Sequence, residues 1–414
     1  MPKPTFQGSN INLVKEHNQR AILLSLLYEG PLSRIQLAKK LSLSATTITN
    51  LVDELLEQGI LNECESQTSL EGRGVGRPRS AICLVNDSRY AIGVHMRVGI
   101  FRVTILDLLG HVVSFREKEF SSDSPARTVM EDIASTIEEI IANCGIERSK
   151  ILGVGVGASG LVDYRSGVNL LASNFGWRDV PMREWLHDLL QLPVVIDNNV
   201  RCMALGEAMF GAGRGIKSLA FIYGRFGVGA GIVVDGKVFR GSGLGAGEIG
   251  HTIILPQFGP LCRCGQHGCL EPLVSEPSLV YQAEMAADQH PNSLLALTMR
   301  DTSIKRPIKR LFVAAKEGDP WARQLIETSA DYLGIALANL VNLINPEMII
   351  LGGLFAEEQE TILPIAREAM REHAFGGLGE KVRIQATAFG WQAGMIGAAA
   401  LALAKFFYLN PKEV

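Results

Sequence analysis

The chain has 414 residues, 47% of them hydrophobic and 20% charged, which excludes disorder as a whole-chain description and leaves room for two or three domains of about 150 residues each. Lys and Arg total 40 against 43 for Asp and Glu, and the net charge of −3 excludes a uniformly basic nucleic-acid binder. A local basic surface is still compatible with that average.

Residues 10 to about 60 read as helices with short breaks. The apolar run Ala21 to Leu27 stops at Glu29-Gly30. Ser33 is placed to cap a second helix from Arg34 to Leu41, and Ser44 precedes a third, Ala45 to Gln58, ended by Gly59. Ile48, Leu51, Val52, Leu55 and Leu56 fall on one face of that third helix. Two short strands, Ile60–Glu63 and Ser80–Val85, then flank a polar loop. Three helices followed by strand, loop and strand is the order of a winged helix-turn-helix. The start of the third helix offers Ser44, Ala45, Thr46, Thr47, Thr49 and Asn50, small side chains suited to base edges or phosphates in a major groove. Arg34 opens an acid-free stretch that runs to Val52, and Arg73, Arg77 and Arg79 lie in a second one. The Gly-Arg-Pro at 76–78 suits a minor groove, where a slim backbone lets arginine enter. These ten residues are the expected DNA contacts.

From about residue 88 strands and helices alternate. Tyr90–Val94, Phe101–Asp107 and His111–Phe120 read as strands, followed by a helix over 125–143 and strands at Ile151–Gly157 and Val194–Ile196. The theme repeats in Leu219–Tyr223, Gly229–Val234 and Lys237–Arg240, in long helices over 307–345 and in a strand at Met348–Leu351. This alternation predicts sheet-centred α/β lobes. The expected division is a head over 1–85 and a body over 86–414, with one lobe of roughly 86–200 plus the C-terminal helix and a second of 201–392. The run Gly394 to Ala404 is shorter than the roughly 18 residues that span a bilayer and reads as a buried helix. The N-terminus has no apolar segment of signal-peptide length, so a cytoplasmic, nucleoid-associated protein with no membrane partner is expected.

Three of the seven cysteines, Cys262, Cys264 and Cys269, crowd into eight residues. That spacing points to a reducing compartment and a metal rather than a disulfide framework. Zn²⁺ prefers four tetrahedral nitrogen or sulfur ligands, so a structural zinc requires a fourth, either His251 or His267.

Gly247-Glu248-Ile249-Gly250-His251, followed by Cys262-x-Cys264-Gly-x-x-Gly-Cys269-Leu-Glu271, resembles the signature of the ROK family (repressors, open reading frames and sugar kinases). The resemblance covers nearly the whole chain, and the head is similar to that of the family's repressor branch. It implies an actin-like, ribonuclease-H-like ATPase architecture with two lobes closing on a sugar. It favours His251 over His267 as the zinc ligand. It also implies sugar contacts at Gly160, Ser173, Asn198, Asn199, Glu248, His251 and Glu271.

The departures from the family's kinases are chemical. His95-Met96-Arg97-Val98-Gly99 stands where they carry an Asp-x-Gly-Gly-Thr phosphate loop. Phe226 replaces a threonine ahead of a second glycine loop, Gly227 to Gly231. Asn199 occupies the position of the catalytic aspartate, and an amide cannot take a proton from a sugar hydroxyl. Losing a general base costs about 10²–10⁴ in rate. The resulting expectation is a repressor of carbohydrate-utilisation genes with no catalytic residue and no ATP. Its expected partners are operator DNA, a sugar or sugar-phosphate effector and further copies of itself, as a homodimer or higher homo-oligomer. An ATP-dependent sugar kinase with an accessory DNA-binding head is the alternative.

Overall fold

The computed structural model of the protein describes residues 11–65 and 80–409. Its head opens with α1 (Ile11–Glu29), α2 (Arg34–Leu41) and α3 (Ala45–Glu57). The caps form where the side chains allow. Ser33 accepts from the Gln36 N–H while the Gln36 side chain accepts from the Ser33 N–H, a reciprocal capping box. Ser44 accepts from the Thr47 N–H at 3.1 Å. On α3, Ile48, Leu51, Val52 and Leu55 are buried, the face that the helical period picks out. Strands β1 (Leu61–Glu65) and β2 (Ser80–Leu84) pair antiparallel, and Leu32 forms an isolated antiparallel bridge to Ile82. The wing arginines Arg73, Arg77 and Arg79 lie outside the described residues.

A further cysteine pair, outside the three-cysteine cluster, meets in the head. Cys64 and Cys83 are bonded to each other across β1 and β2, with Cα atoms 6.3 Å apart. The register sets Cys64 opposite Ala81 and Cys83 opposite Asn62, so the thiols meet on a diagonal. Strand pairing, not sequence spacing, makes them neighbours.

The body repeats one plan twice. A meander of β3 (Tyr90–Arg97), β4 (Ile100–Asp107) and β5 (Val112–Glu119) leads through α4 (Ala126–Cys144) to β6 (Ile151–Ala158). A small three-stranded sheet follows, β7 (Leu161–Asp163), β8 (Val168–Ala172) and β9 (Trp177–Val180). Then come α5 (Met182–Leu190), β10 (Val194–Asn198) and α6 (Asn199–Phe210). The first large sheet has the order β5-β4-β3-β6-β10, with β6 and β10 parallel to β3. The second has the same order, built from β13 (Lys237–Val238), β12 (Val228–Val234), β11 (Ser218–Gly224), β14 (Met348–Gly353) and β15 (Arg383–Ala386). Again the first three strands are antiparallel and the last two parallel. The helices of this half are α7 (Glu271–Val274), α8 (Glu276–Gln289), α9 (Leu294–Arg300), α10 (Pro307–Lys316), α11 (Pro320–Ile344), α12 (Leu354–Glu357), α13 (Gln359–His373) and α14 (Leu378–Lys381).

The chain returns to the first sheet as α15 (Ala393–Leu403), the apolar run near the C-terminus, every residue of which is buried. It packs on β3, β6 and α6 at backbone distance. A Cβ on Gly155 would stand 1.9 Å from the Ala398 carbonyl oxygen, and one on Gly397 would stand 2.4 Å from that of Cys202. Such contacts leave no space for a methyl group. Among the described residues no helix is long and apolar enough to cross a membrane. The chain continues into a last irregular turn, Ala404–Tyr408, which packs on α1. The Tyr408 hydroxyl donates to the Leu108 carbonyl at 2.7 Å. Buried residues of the head, Ile22 and Leu26 among them, and of α15 form one continuous hydrophobic cluster.

Gly155→Ala is expected to destabilise the protein by about 1–3 kcal/mol, the usual range for overpacking. Denaturant unfolding of the full chain checks this, and an unchanged midpoint would contradict the packing.

Candidate functional site

The exposed start of α3 is one candidate surface. Ser44, Ala45, Thr46, Thr49 and Asn50 are exposed, and Thr47 is half-buried. Arg34 does not project freely. Its guanidinium pairs with Asp53 at 2.9 Å and Glu63 at 3.0 Å, so a stretch without acids in the sequence is compensated in space.

The second candidate is a cavity of about 460 Å³ between the two large sheets. Gly160, Ser173, Asn198, Asn199, Glu248, His251 and Glu271 all line it, although they come from five separate stretches of chain. Asn198 ends β10 and caps α6, accepting from the Val200 N–H at 2.9 Å and donating to the Gly160 carbonyl at 3.0 Å. Asn199 donates to the Ser159 hydroxyl at 3.3 Å. Glu248 is exposed to the cavity; its carbonyl accepts from the His251 N–H at 3.0 Å, and its carboxylate makes no hydrogen bond or ion pair among the described residues. Its loop is fixed by Gly247, which sits at φ +96 with its missing Cβ directed at the Ala230 carbonyl 2.0 Å away. Glu271 is buried, accepting from the Val228 N–H at 3.0 Å.

Three residues outside the sequence expectations organise this cavity. Arg263, between two of the clustered cysteines, pairs with Glu271 at 2.7 Å and donates to the Asn174 side chain at 2.9 Å on the opposite lobe. Asp197, buried behind Asn198 and Asn199, binds Arg201 and Arg240, each at 2.7 Å. Arg201 in turn donates to the Leu244 carbonyl at 2.9 Å, tying the loop before Glu248 to α6. No sequence signal marks these contacts, because they join different elements: Asp197 at the end of β10 with Arg201 on α6 and Arg240 in the loop after β13, and Arg263 with Asn174, 89 residues away.

His251 also belongs to a cluster with Cys262, Cys264 and Cys269, whose donor atoms all lie within 4.8 Å of one another. The His251 Nδ1 to Cys262 Sγ distance is 3.6 Å and the Cys264–Cys269 Sγ distance is 3.7 Å. A tetrahedral cation with sulfur bonds of about 2.3 Å separates its ligands by roughly 3.8 Å, so the donor set fits. His267 faces away, with Nδ1 3.0 Å from the Gly259 carbonyl. Burial, with Cys264 and Cys262 beside it, pushes the Cys269 thiol up to about 12. A bound divalent cation opposes that shift, since thiolates are its ligands.

The ROK family model matches residues 91–405, and the MarR family model matches residues 15–66. The chain belongs to the ROK family. It joins a MarR-type winged helix-turn-helix to an actin-like, kinase-fold body. It is 31% identical to the xylose repressor of Caldicellulosiruptor bescii, over 95% of this chain and 97% of that one. It is 32% identical to a glucokinase of Halalkalibacterium halodurans, over 75% of this chain and 93% of the enzyme. Among solved structures, a ROK family transcriptional regulator, a homologue of the E. coli Mlc protein, superposes with a TM-score of 0.81 at 28% identity, covering 95% of this chain and 97% of that one.

In this ROK chain the segment that parallels a kinase phosphate loop is a regular strand and turn. His95 and Arg97 lie within β3, and β4 begins at Ile100. The glycines of the second loop serve packing: Gly231 lets β12 meet α6, where a Cβ would stand 2.5 Å from the Val200 carbonyl oxygen.

Asp197→Asn is expected to cost about 3–5 kcal/mol, because it leaves Arg201 buried without a charged partner. Thermal or denaturant unfolding checks this, and a loss below about 1 kcal/mol, the value of an exposed pair, would contradict the buried triad.

Proposed function

We propose that the protein is a DNA-binding transcriptional repressor of carbohydrate-utilisation genes, controlled by a sugar or sugar derivative in the interlobe cavity. The observation that carries this reading is Asn199. The cavity has the carboxylates, amides and imidazole that sugar hydroxyls need as donors and acceptors, but an amide where phosphoryl transfer needs a base. The resemblance to the C. bescii xylose repressor, which includes the head, supports the same reading, whereas the glucokinase match leaves the head unaccounted for. In this account the protein is not an enzyme and does not use ATP.

Ser44 to Asn50 meet the major groove, and Arg73, Arg77 and Arg79 of the wing reach the adjacent minor groove. Two heads in a homodimer engage paired half-sites. Sugar binding draws the lobes together and changes the placement of the heads, which requires different sugar affinities for the two arrangements. Zn²⁺ held by His251, Cys262, Cys264 and Cys269 is structural. It fixes the loop that presents His251 to the cavity.

Two outcomes are expected. Elemental analysis finds one zinc per chain, and Cys264→Ser loses the metal together with most of the sugar affinity; equal sugar affinity in metal-free protein would contradict the coupling. Fluorescence anisotropy at stated salt shows binding to the protein's own promoter DNA, at least about tenfold weaker for Asn50→Ala, a cost of one good base contact. Addition of one sugar from a pentose and hexose panel changes that binding. Affinity indifferent to every sugar would sink the sensor reading, and turnover at ordinary kinase rates in an ADP-release assay would sink the reading of Asn199.

A further inference from the structure

The head carries thiols of its own, separate from the metal cluster of the body. Cys64 on β1 and Cys83 on β2 are joined, with Cα atoms 6.3 Å apart, inside the span of about 4.4–6.8 Å that disulfides bridge. Both are half-buried, so small reagents in solution can reach them, whereas Cys202 is enclosed in the core. The dithiol state is accommodated as well. Asn62 Oδ1 lies 2.8 Å from the Cys83 Sγ, an acceptor for the thiol hydrogen.

The pairing of β1 with β2 runs from Leu61 opposite Leu84 to Glu65 opposite Ser80, where the strands part. Leu61 and Ile82 are buried and fix the inner part of the hairpin, whereas Ser80 at its outer end is exposed. A two-stranded hairpin is marginal where no third element supports it. The Cys64–Cys83 bond spans the outer pairs on a diagonal. It also closes the chain between the two sulfurs, a separation of 19 residues that includes Arg73, Arg77 and Arg79, into a covalent loop. Glu63, next to Cys64, pairs with Arg34 at 3.0 Å, and Arg34 also holds Asp53 of α3 at 2.9 Å. Strand β1 is thereby tied to the helix that offers the expected base contacts.

We infer that Cys64 and Cys83 form a reversible thiol–disulfide pair that clamps the wing and thereby tunes DNA affinity. The second half of this statement rests on the repressor reading. A protein that acts on operators works in a reducing compartment, where disulfides are transient or sensing rather than structural. The oxidant is a small-molecule disulfide such as glutathione disulfide. One cysteine thiolate attacks a sulfur of the oxidant and expels a thiolate; the other cysteine thiolate then attacks the protein sulfur of the mixed disulfide and expels the second. Two electrons pass from the cysteine sulfurs to the small disulfide, which leaves as two thiols carrying the two protons. Closing the bond removes conformations that the wing otherwise gives up on binding, so the oxidised form binds DNA more tightly.

The test equilibrates the full-length protein in glutathione buffers of varied oxidised-to-reduced ratio, then blocks free thiols and maps them by peptide mass spectrometry. A Cys64–Cys83 cross-linked peptide is expected at oxidising ratios and disappears on reduction. Anisotropy with the protein's own promoter DNA should show the oxidised form binding at least about threefold more tightly. Cys64→Ser and Cys83→Ser should each bind like the reduced protein at every ratio. Deuterium exchange in β1 and β2, read without DNA, should be slower in the oxidised form. Free Cys64 and Cys83 at every ratio would overturn the inference, as would equal DNA affinity in the two states. A redox response retained by Cys64→Ser would assign the effect to other thiols and overturn it too. If neither form binds DNA, the repressor reading fails and exchange decides the clamp: slower exchange on oxidation upholds it, and unchanged exchange overturns it.

Discussion

Helix α1 of the head and the last turns of the chain bury their apolar faces in one another, so the DNA-reading module has no core of its own that is separate from the body. Ile22, Leu26 and Ile48 belong to the same buried cluster as Ala399, Leu403 and Tyr408. Arg214 of the body donates to the Leu27 carbonyl of α1, and Tyr408 anchors the tail on Leu108. Most other features of the molecule follow from what this arrangement requires. The helix that carries the tail must reach the head through the first lobe, between a sheet and α6, and it does so only because glycines face it. Gly93 and Gly155 on the strands, and Gly206 on α6, each lie where a Cβ would meet the α15 backbone at 2.9 Å or less.

That constraint also places the site. Helix α6 is held against α15 along its length, and its first residues are Asn198 as cap and Asn199, which face the interlobe cavity. The buried Asp197 carboxylate then joins α6 to the loop before Glu248 through Arg201 and Arg240. A ligand on Asn199, Glu248 and His251 therefore touches groups in rigid contact with the helix that packs under the head. A packed route becomes energetic coupling only if the ligand prefers one of two arrangements of it. The Arg263 bridge from Glu271 to Asn174 is a contact between lobes of the kind that lobe closure must rearrange.

Features set by short-range rules were legible in the sequence. The capped helices of the head, the buried face of α3 and the three-cysteine cluster are all written in spacings of a few residues. The buried character of the C-terminal run followed from its length. Features set by strand pairing or long-range charge were not. The diagonal pairing of Cys64 with Cys83 depends on a register, and the partners of Asp197 include Arg240, which is 43 residues away. The choice between His251 and His267 needed the backbone turn that directs His267 to the Gly259 carbonyl. The sequence did mark His95 and Arg97 as departures from a phosphate loop. In the fold that segment is the end of a regular strand, β3, and the turn into β4.

The central claim is that occupancy of the interlobe cavity is felt at the head through the shared core. Hydrogen–deuterium exchange of the full-length protein, with and without a saturating sugar that raises its thermal stability, tests this most directly. The account predicts altered protection in α6, in residues 393–408 and in α1, as well as around the cavity itself. Changes confined to the cavity-lining loops, with α15 and α1 unaffected, would contradict it.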